Sequence, residues 1–318
     1  MATHKKRLKQ PKDVLMNKRI LAILAATAAS TIYGLNHTIA KALMPIYIDP
    51  FGFILLRVLG AAILFWLIGF WGPKEKIATS DWPRIIGCTF FGMAINMLVF
   101  FKGLSLTSPI NSSVIMTISP ILVLMMAALL IHERITWLKT AGIITGLAGA
   151  LTLVLFSTQK TVNAPNIPLG NLFVILNALS YGIYLIMVKP LTAKYHPFTL
   201  MKWLFLFGVI VNFPISISEF LEVEWTSIPV EALWKFGFVV VCTTFLTYLL
   251  NIFALKELSA SGLSAFIYLQ PLVAIVFAIG TGADSLNAVK IIAAILVFSG
   301  VYMVTKKPKL RENSPQHP

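Results

Sequence analysis

The sequence predicts an all-α polytopic membrane protein, with ten transmembrane helices in two inverted five-helix repeats. Three observations carry this. Hydrophobic residues make up 58% of the 318 positions and charged residues only 12%, about half the charged share of an ordinary soluble domain. The apolar residues gather in runs of about 20, the length needed to cross about 30 Å of hydrocarbon. The second half of the chain also repeats the first at an offset of 151 residues.

Length alone would suggest about two soluble domains. A mean hydropathy of +0.84 overrules that, because a globule of this size has no interior able to hide so much apolar surface. Disorder, collagen and coiled coil are excluded with it. The net charge of +14 sits at the two ends and in short gaps between apolar runs, as membrane proteins distribute it. The expected large partner is therefore the lipid bilayer, with no nucleic acid. Cys88 and Cys242 both lie inside apolar stretches, so neither a disulfide framework nor a cysteine-based metal site is expected. No cofactor and no metal is called for.

The ten runs follow one another with little between them. After a basic tail, 1–19, the run 20–43 is too long for a cleavable signal segment and is kept as the first span. Asp49-Pro50 breaks the chain before 51–71, and Gly72-Pro73 closes that span. Runs 85–103, 109–131 and 137–156 complete a first unit, 20–156. A linker, 157–166, leads into 167–188, 198–218, 233–255, 262–281 and 287–305, the second unit, 167–305, before the tail 306–318. These runs are continuous rather than alternating, which excludes barrel strands. Lys and Arg set the orientation. With a cytoplasmic N-terminus, twenty of the 26 basic residues fall on the cytoplasmic side, so both termini are expected there and the linker outside.

The internal match is gap-free from 102–120 onto 253–271, pairing Ser113 with Ser264 and Pro120 with Pro271. In the same register Glu133 meets Asp284, Lys139 meets Lys290 and Gly149 meets Gly300. At offset 148, Tyr33-Gly34 falls on Tyr181-Gly182 and Lys41 on Lys189. Five spans per unit is an odd number, so the second copy enters the membrane from the opposite side. Inverted repeats of this kind are typical of secondary transporters, since two near-equivalent halves can open to either side at similar energy.

These residues resemble the EamA-type branch of the drug/metabolite transporter superfamily. The shared pattern is a small-residue helix leading to a proline, an acid at its end and a Gly-rich helix: here Ser113, Pro120 and Glu133, then Gly142, Gly146 and Gly149. The second copy reads Ser264, Tyr268, Gln270, Pro271, Asp284 and Gly300. Asp284 stands where Glu is commoner, and Gln270 where a Glu often precedes the proline. The resemblance implies carriage of small metabolites, amino acid-like and outward, without enzymatic chemistry.

Polar residues inside spans are costly and usually face the bundle interior or a water-filled cavity. Tyr33, Asn36 and His37 share one face of the first span, and Asn177, Tyr181 and Tyr184 one face of the sixth. Asn96 and Thr117 mark the third and fourth spans, Thr244, Thr247 and Tyr248 the eighth, and Tyr268 the ninth. Together they predict a polar central cavity lined by spans 1, 3, 4, 6, 8 and 9, with these side chains as substrate contacts. The competing account is that such groups bond back to their own backbone or knit helices together. Pro120 and Pro271 free a carbonyl within their spans and are hinge candidates. Arg57 and Lys202 lie several residues into their spans and can snorkel; Arg57 is the candidate for an anion contact. Gly142, Gly146 and Gly149 mark close helix approach, between the halves rather than between copies, and the chain is expected as monomer or homodimer.

The expectation is a secondary transporter in the cytoplasmic membrane, moving a small polar or amphipathic metabolite by alternating access. A non-transporting receptor or scaffold is the first alternative. An intramembrane enzyme is the second, weakened because His132-Glu133 lacks a second His four residues on. No carboxylate lies at mid-membrane, which leaves His37 as the intramembrane group titrating near neutral pH. If His37 couples protons, flux into proteoliposomes responds to a pH gradient in the wild type and loses that response in folded His37→Ala; an unchanged response removes the role.

Overall fold

A hydrocarbon environment leaves the backbone two choices, the helix or the closed barrel, and the computed structural model of the chain is built of helices. It describes residues 11–107, 112, 115–155, 165–280 and 286–306. Among the described residues ten helices run in order: α1 (Pro11–Lys41), α2 (Pro50–Gly69), α3 (Trp82–Thr89, Phe90–Ile95 and Asn96–Leu106), α4 (Ser119–Ile131), α5 (Trp137–Leu155), α6 (Ile167–Lys194), α7 (Pro197–Leu221), α8 (Val230–Gly237, Phe238–Leu246 and Thr247–Glu257), α9 (Ala260–Ser264, Ala265–Tyr268 and Leu269–Gly280) and α10 (Ala288–Thr305). Among the described residues nine helices are long and apolar enough to cross a membrane. α4 is shorter because the expected span 109–131 is interrupted by a turn at Thr117–Ile118, and most of 108–114 lies outside the described residues.

Several starts follow from local chemistry. Pro50 and Pro197 open α2 and α7 at the first helical position, where the missing N–H costs nothing. Asn166, Ser259 and Asn287 accept from the backbone N–H three residues on, at 3.2, 3.1 and 3.0 Å, and so start α6, α9 and α10. The helices expose apolar side chains such as Leu129, Ile144, Ile292 and Phe298 outward, as lipid-facing surfaces require. Trp71, Trp137 and Trp234 lie exposed at or near helix ends, where amphipathic rings suit the membrane interface.

The two halves pack by a swap rule. α1 packs on α8 and α9, and its counterpart α6 packs on α3 and α4. α2 packs on its own counterpart α7, and α5 on α10. The sense of these self-pairs decides the symmetry. In α5 the glycine at 142 lies against Gly300, Met303 and Val304, and the one at 149 against Ala293, Leu296 and Val297. Residue numbers rise on one helix as they fall on the other. The same holds for α2 and α7, where Gly52 meets Glu219, Val58 meets Gly208 and the Trp66 indole N–H donates to the Lys202 carbonyl at 3.2 Å. Equivalent helices are antiparallel, so the halves are inverted about an axis in the membrane plane.

The α5–α10 seam is backbone on backbone. A Cβ built on Gly300 would stand 2.5 Å from the Gly146 nitrogen and 2.6 Å from the Gly142 oxygen, closer than any real contact allows. Gly142, Gly146 and Gly149 thus join the two halves within one chain. Replacing Gly300 by Ala is expected to lower stability by about 1–3 kcal/mol, the usual cost of overpacking a filled interior. A fall in detergent melting temperature checks it, with Gly237→Ala, whose Cβ meets nothing within 4 Å, as the neutral control.

Candidate functional site

Two helices depart from α geometry at equivalent places. α3 turns π-helical over Phe90–Ile95 and α8 over Phe238–Leu246. Single-turn π segments are rare and cluster at functional sites. Each widened turn leaves carbonyls short of their usual donors, and polar side chains supply them. On α3, the Phe91 carbonyl accepts from Ser180 Oγ at 2.6 Å, the Met93 carbonyl from Asn212 Nδ2 at 3.3 Å and the Asn96 carbonyl from Asn177 Nδ2 at 2.8 Å. Asn96 returns the last bond, its Nδ2 reaching the Asn177 carbonyl at 3.3 Å. On α8, the Val239 carbonyl accepts from the Thr244 hydroxyl at 2.7 Å and the Thr243 carbonyl from the Thr247 hydroxyl.

Beside these segments lies a cavity of about 140 Å³. α1 contributes Tyr33, Asn36 and Ala40; α3 contributes Asn96, Met97, Phe100, Phe101 and Leu104. Asn177 and Tyr181 come from α6, Tyr248 from α8, Ile267 and Gln270 from α9, and Met116 precedes α4. Arg57 enters from α2. The wall therefore includes all six spans expected from polar spacing, and α2 besides. Among the described residues it holds one cation and no carboxylate. Two amide oxygens, Asn36 Oδ1 and Asn177 Oδ1, are buried without a hydrogen-bond donor.

Tyr33, Asn36, Asn96, Asn177, Tyr181, Tyr248 and Arg57 are thus brought together. Others are placed elsewhere. Tyr184 fills the space beside Gly92, its ring atom standing 2.4 Å from where a Cβ would be. Tyr268 is fully buried against Gly146 of α5, its hydroxyl without a partner. Thr244 and Thr247 serve the π segment of α8, and Thr247 also faces the Tyr33 hydroxyl together with Asn251. Thr117 is buried at the turn before α4. The side chain of His37, and Ser113 and Asp284, lie outside the described residues. Pro120 and Pro271 do not kink continuous helices; each sits at the start of a new segment, just after the turn at 117–118 and the 3₁₀ stretch Ala265–Tyr268. Arg57 does not snorkel either, being only 6% exposed, whereas Lys202 lies over the Trp66 and Trp203 rings at 5.4 and 5.8 Å. Sequence reading missed Met97, Phe100, Phe101 and Leu104, though their spacing from Asn96 places them on one face of α3.

The cavity runs toward the bundle end that carries Ala40, Leu104 and Met116. The opposite end carries polar ties between helices. Lys189 Nζ donates to the carbonyls of Leu255, Lys256 (3.3 Å) and Leu258 (2.9 Å), closing the C-terminus of α8. α4 ends in a left-handed turn at His132 (φ 52°), sealed by a bond from Glu133 N–H to the Ala127 carbonyl at 3.1 Å. That turn aims the Glu133 carboxylate at Lys139 Nζ, 2.7 Å away, and at the Ser261 hydroxyl of α9.

A model of the EamA-like transporter family matches residues 20–155 and 168–306. The chain belongs to this family. An uncharacterized transporter of Archaeoglobus fulgidus is 28% identical over 285 residues, covering 90% of this chain and 98% of that one. The uncharacterized transporter YyaM of Bacillus subtilis is 26% identical, covering 77% and 82%. A probable terminal-alkyne amino-acid exporter of Streptantibioticus cattleyicolor is 22% identical, covering 75% and 78%. A protein crystal structure shares the fold, with a TM-score of 0.72 over 89% of this chain and 96% of that one at 16% identity. EamA-like proteins are named transporters, and this multi-pass chain is a transporter, not an enzyme.

At the tied end of this EamA-like chain, the Glu133 tie is expected to respond to pH. Burial pushes the Glu133 carboxyl upward, but the Lys139 ammonium and the Ser261 hydroxyl outweigh it and hold it below the usual carboxylate range. A depressed folded value means the stabilisation is full at neutral pH and lost as pH falls through that value. Glu133→Gln is therefore expected to cost about 1 kcal/mol at pH 7. Its melting-temperature gap from wild type narrows in acid, below the ordinary Glu range, and pH-resolved thermal melts in detergent check this.

Proposed function

We propose that the chain is a secondary carrier moving a small amphipathic metabolite, amino acid-like, out across the cytoplasmic membrane by alternating access around the cavity. The observation that carries this reading is the cavity's place: both inverted halves supply its wall, at the point where α1, α3, α6, α8 and α9 meet. Two halves related by inversion can exchange roles, opening the same pocket to one side or the other.

The wall is also suited to such a cargo. Phe100, Phe101, Tyr181 and Tyr248 offer rings for an apolar body. The donor-free oxygens of Asn36 and Asn177 would accept from an ammonium, and Arg57 would meet an anion. The name of the Streptantibioticus relative, a probable amino-acid exporter, agrees with this reading. With both termini cytoplasmic, as the basic residues indicate, the cavity reaches toward the outside. The Lys189 and Glu133 ties then close the cytoplasmic end and must break in the inward-facing state.

Proteoliposome counterflow over a panel of labelled amino acids tests the reading. Saturable exchange is expected, and Asn36→Ala or Tyr248→Leu should slow it about tenfold, the order of one lost hydrogen bond or ring contact, with the melting temperature preserved. No saturable exchange across the panel would favour a non-transporting receptor instead.

A further inference from the structure

Among the described residues, Arg57 is a charge without a counter-charge. Its side chain sits on α2 at 6% exposure, on the wall of the cavity. Nε donates to Thr244 Oγ1 at 3.0 Å, and the guanidinium carbon lies 5.3 Å from the Phe101 ring and 5.8 Å from the Phe53 ring. Both ion pairs seen among the described residues, Lys139 with Glu133 and Lys194 with Asp81, lie elsewhere. Ring faces offset a cation only in part, by about 0.5–2 kcal/mol, whereas an unpaired ion taken out of water costs several.

The inversion makes this residue informative. α2 and α7 both begin with proline at the first helical position, Pro50 and Pro197. Counting from those prolines, the position of Arg57 is occupied on α7 by Leu204, which is fully buried. A cation needed only to join the halves would be expected at both positions. Arg57 belongs to one half alone, on the side where the cavity lies. Its support is equally local: Thr244 is held in the π segment of α8, its hydroxyl spent on the Val239 carbonyl while its oxygen accepts from Nε. That fixes one edge of the guanidinium and leaves the fork of terminal nitrogens for a planar acceptor.

We infer that Arg57 is the anion-recognising residue of the cavity and that the cargo carries a carboxylate, bound by the guanidinium fork with its apolar body against Phe100, Phe101 and Tyr248. This rests on the carrier reading of the cavity but is tested by binding, not flux. Purified full-length protein in detergent is melted with L-phenylalanine, L-leucine and phenylacetate, each against its own amide. The expected result is a saturable rise in melting temperature with at least one acid, with an apparent Kd about tenfold lower than that of its amide. Arg57→Gln should erase the acid-over-amide preference, and Arg57→Lys should keep part of it. Thr244→Val, which leaves the charge but frees it to turn, should weaken acid binding severalfold and leave amide binding unchanged. If Arg57→Gln does not fold, the wild-type acid and amide pairs together with Thr244→Val decide the matter.

Equal binding of acids and amides, a preference that survives Arg57→Gln, or no saturable response to any acid would overturn the inference. Arg57-dependent acid binding without flux would leave it standing and remove the carrier reading. Flux of amides equal to that of acids would do the reverse.

Discussion

Every backbone amide and carbonyl placed in hydrocarbon must find its partner inside the protein, and the form of this chain follows from that constraint. It explains why the spans are helices and why their outer faces are largely apolar. It also explains where the helices are allowed to depart from regularity. The π turns of α3 and α8 and the 3₁₀ stretch of α9 all lie beside the cavity or against the opposite half. There Ser180, Asn177, Asn212, Thr244 and Thr247 reach the carbonyls that the irregular turns release. Polar side chains within the spans therefore come in two kinds. Some repair backbone, and some, such as Tyr33, Asn36 and Arg57, are left facing the pocket.

Inversion gives the molecule its economy and its asymmetry. Close packing is shared by both halves: the self-pairs α2–α7 and α5–α10, the π turns and the broken helices before Pro120 and Pro271 all recur. Chemistry is not shared. Arg57 has no basic counterpart on α7, and Tyr33 and Tyr181, though matched in sequence, meet different neighbours. Tyr33 faces Thr247 and Asn251, while Tyr181 lies beside Tyr184, the two rings tilted by 38° with centroids 6.4 Å apart. A scaffold near two-fold symmetry can offer one pocket to two sides, while the side chains on the pocket wall differ between the halves.

The candidate site was legible where type and spacing coincide. A Tyr, an Asn and another Asn at helical spacing on spans 1, 3 and 6 point to one interior face, and the cavity gathers them. The reading failed where a side chain's target lies on another helix. Tyr268 has the same size and polarity as Tyr248, yet it turns onto Gly146 because that glycine leaves room there. Thr244 and Thr247 sit on the expected face but are taken up by their own irregular turn. Phe100 and Phe101 were passed over because an apolar residue in an apolar span carries no mark of lining a pocket.

Composition and the lengths of apolar runs were enough to establish a ten-helix membrane protein, because crossing hydrocarbon sets a minimum length and a maximum polarity that no other class meets. The repeat and its odd span count were enough to establish inversion, since that is a matter of counting. Which polar groups face the pocket was decided only in three dimensions. Their direction depends on helix rotation, on π turns that shift the phase of everything after them, and on gaps left by glycines of another helix. None of these is a property of the segment that carries the side chain.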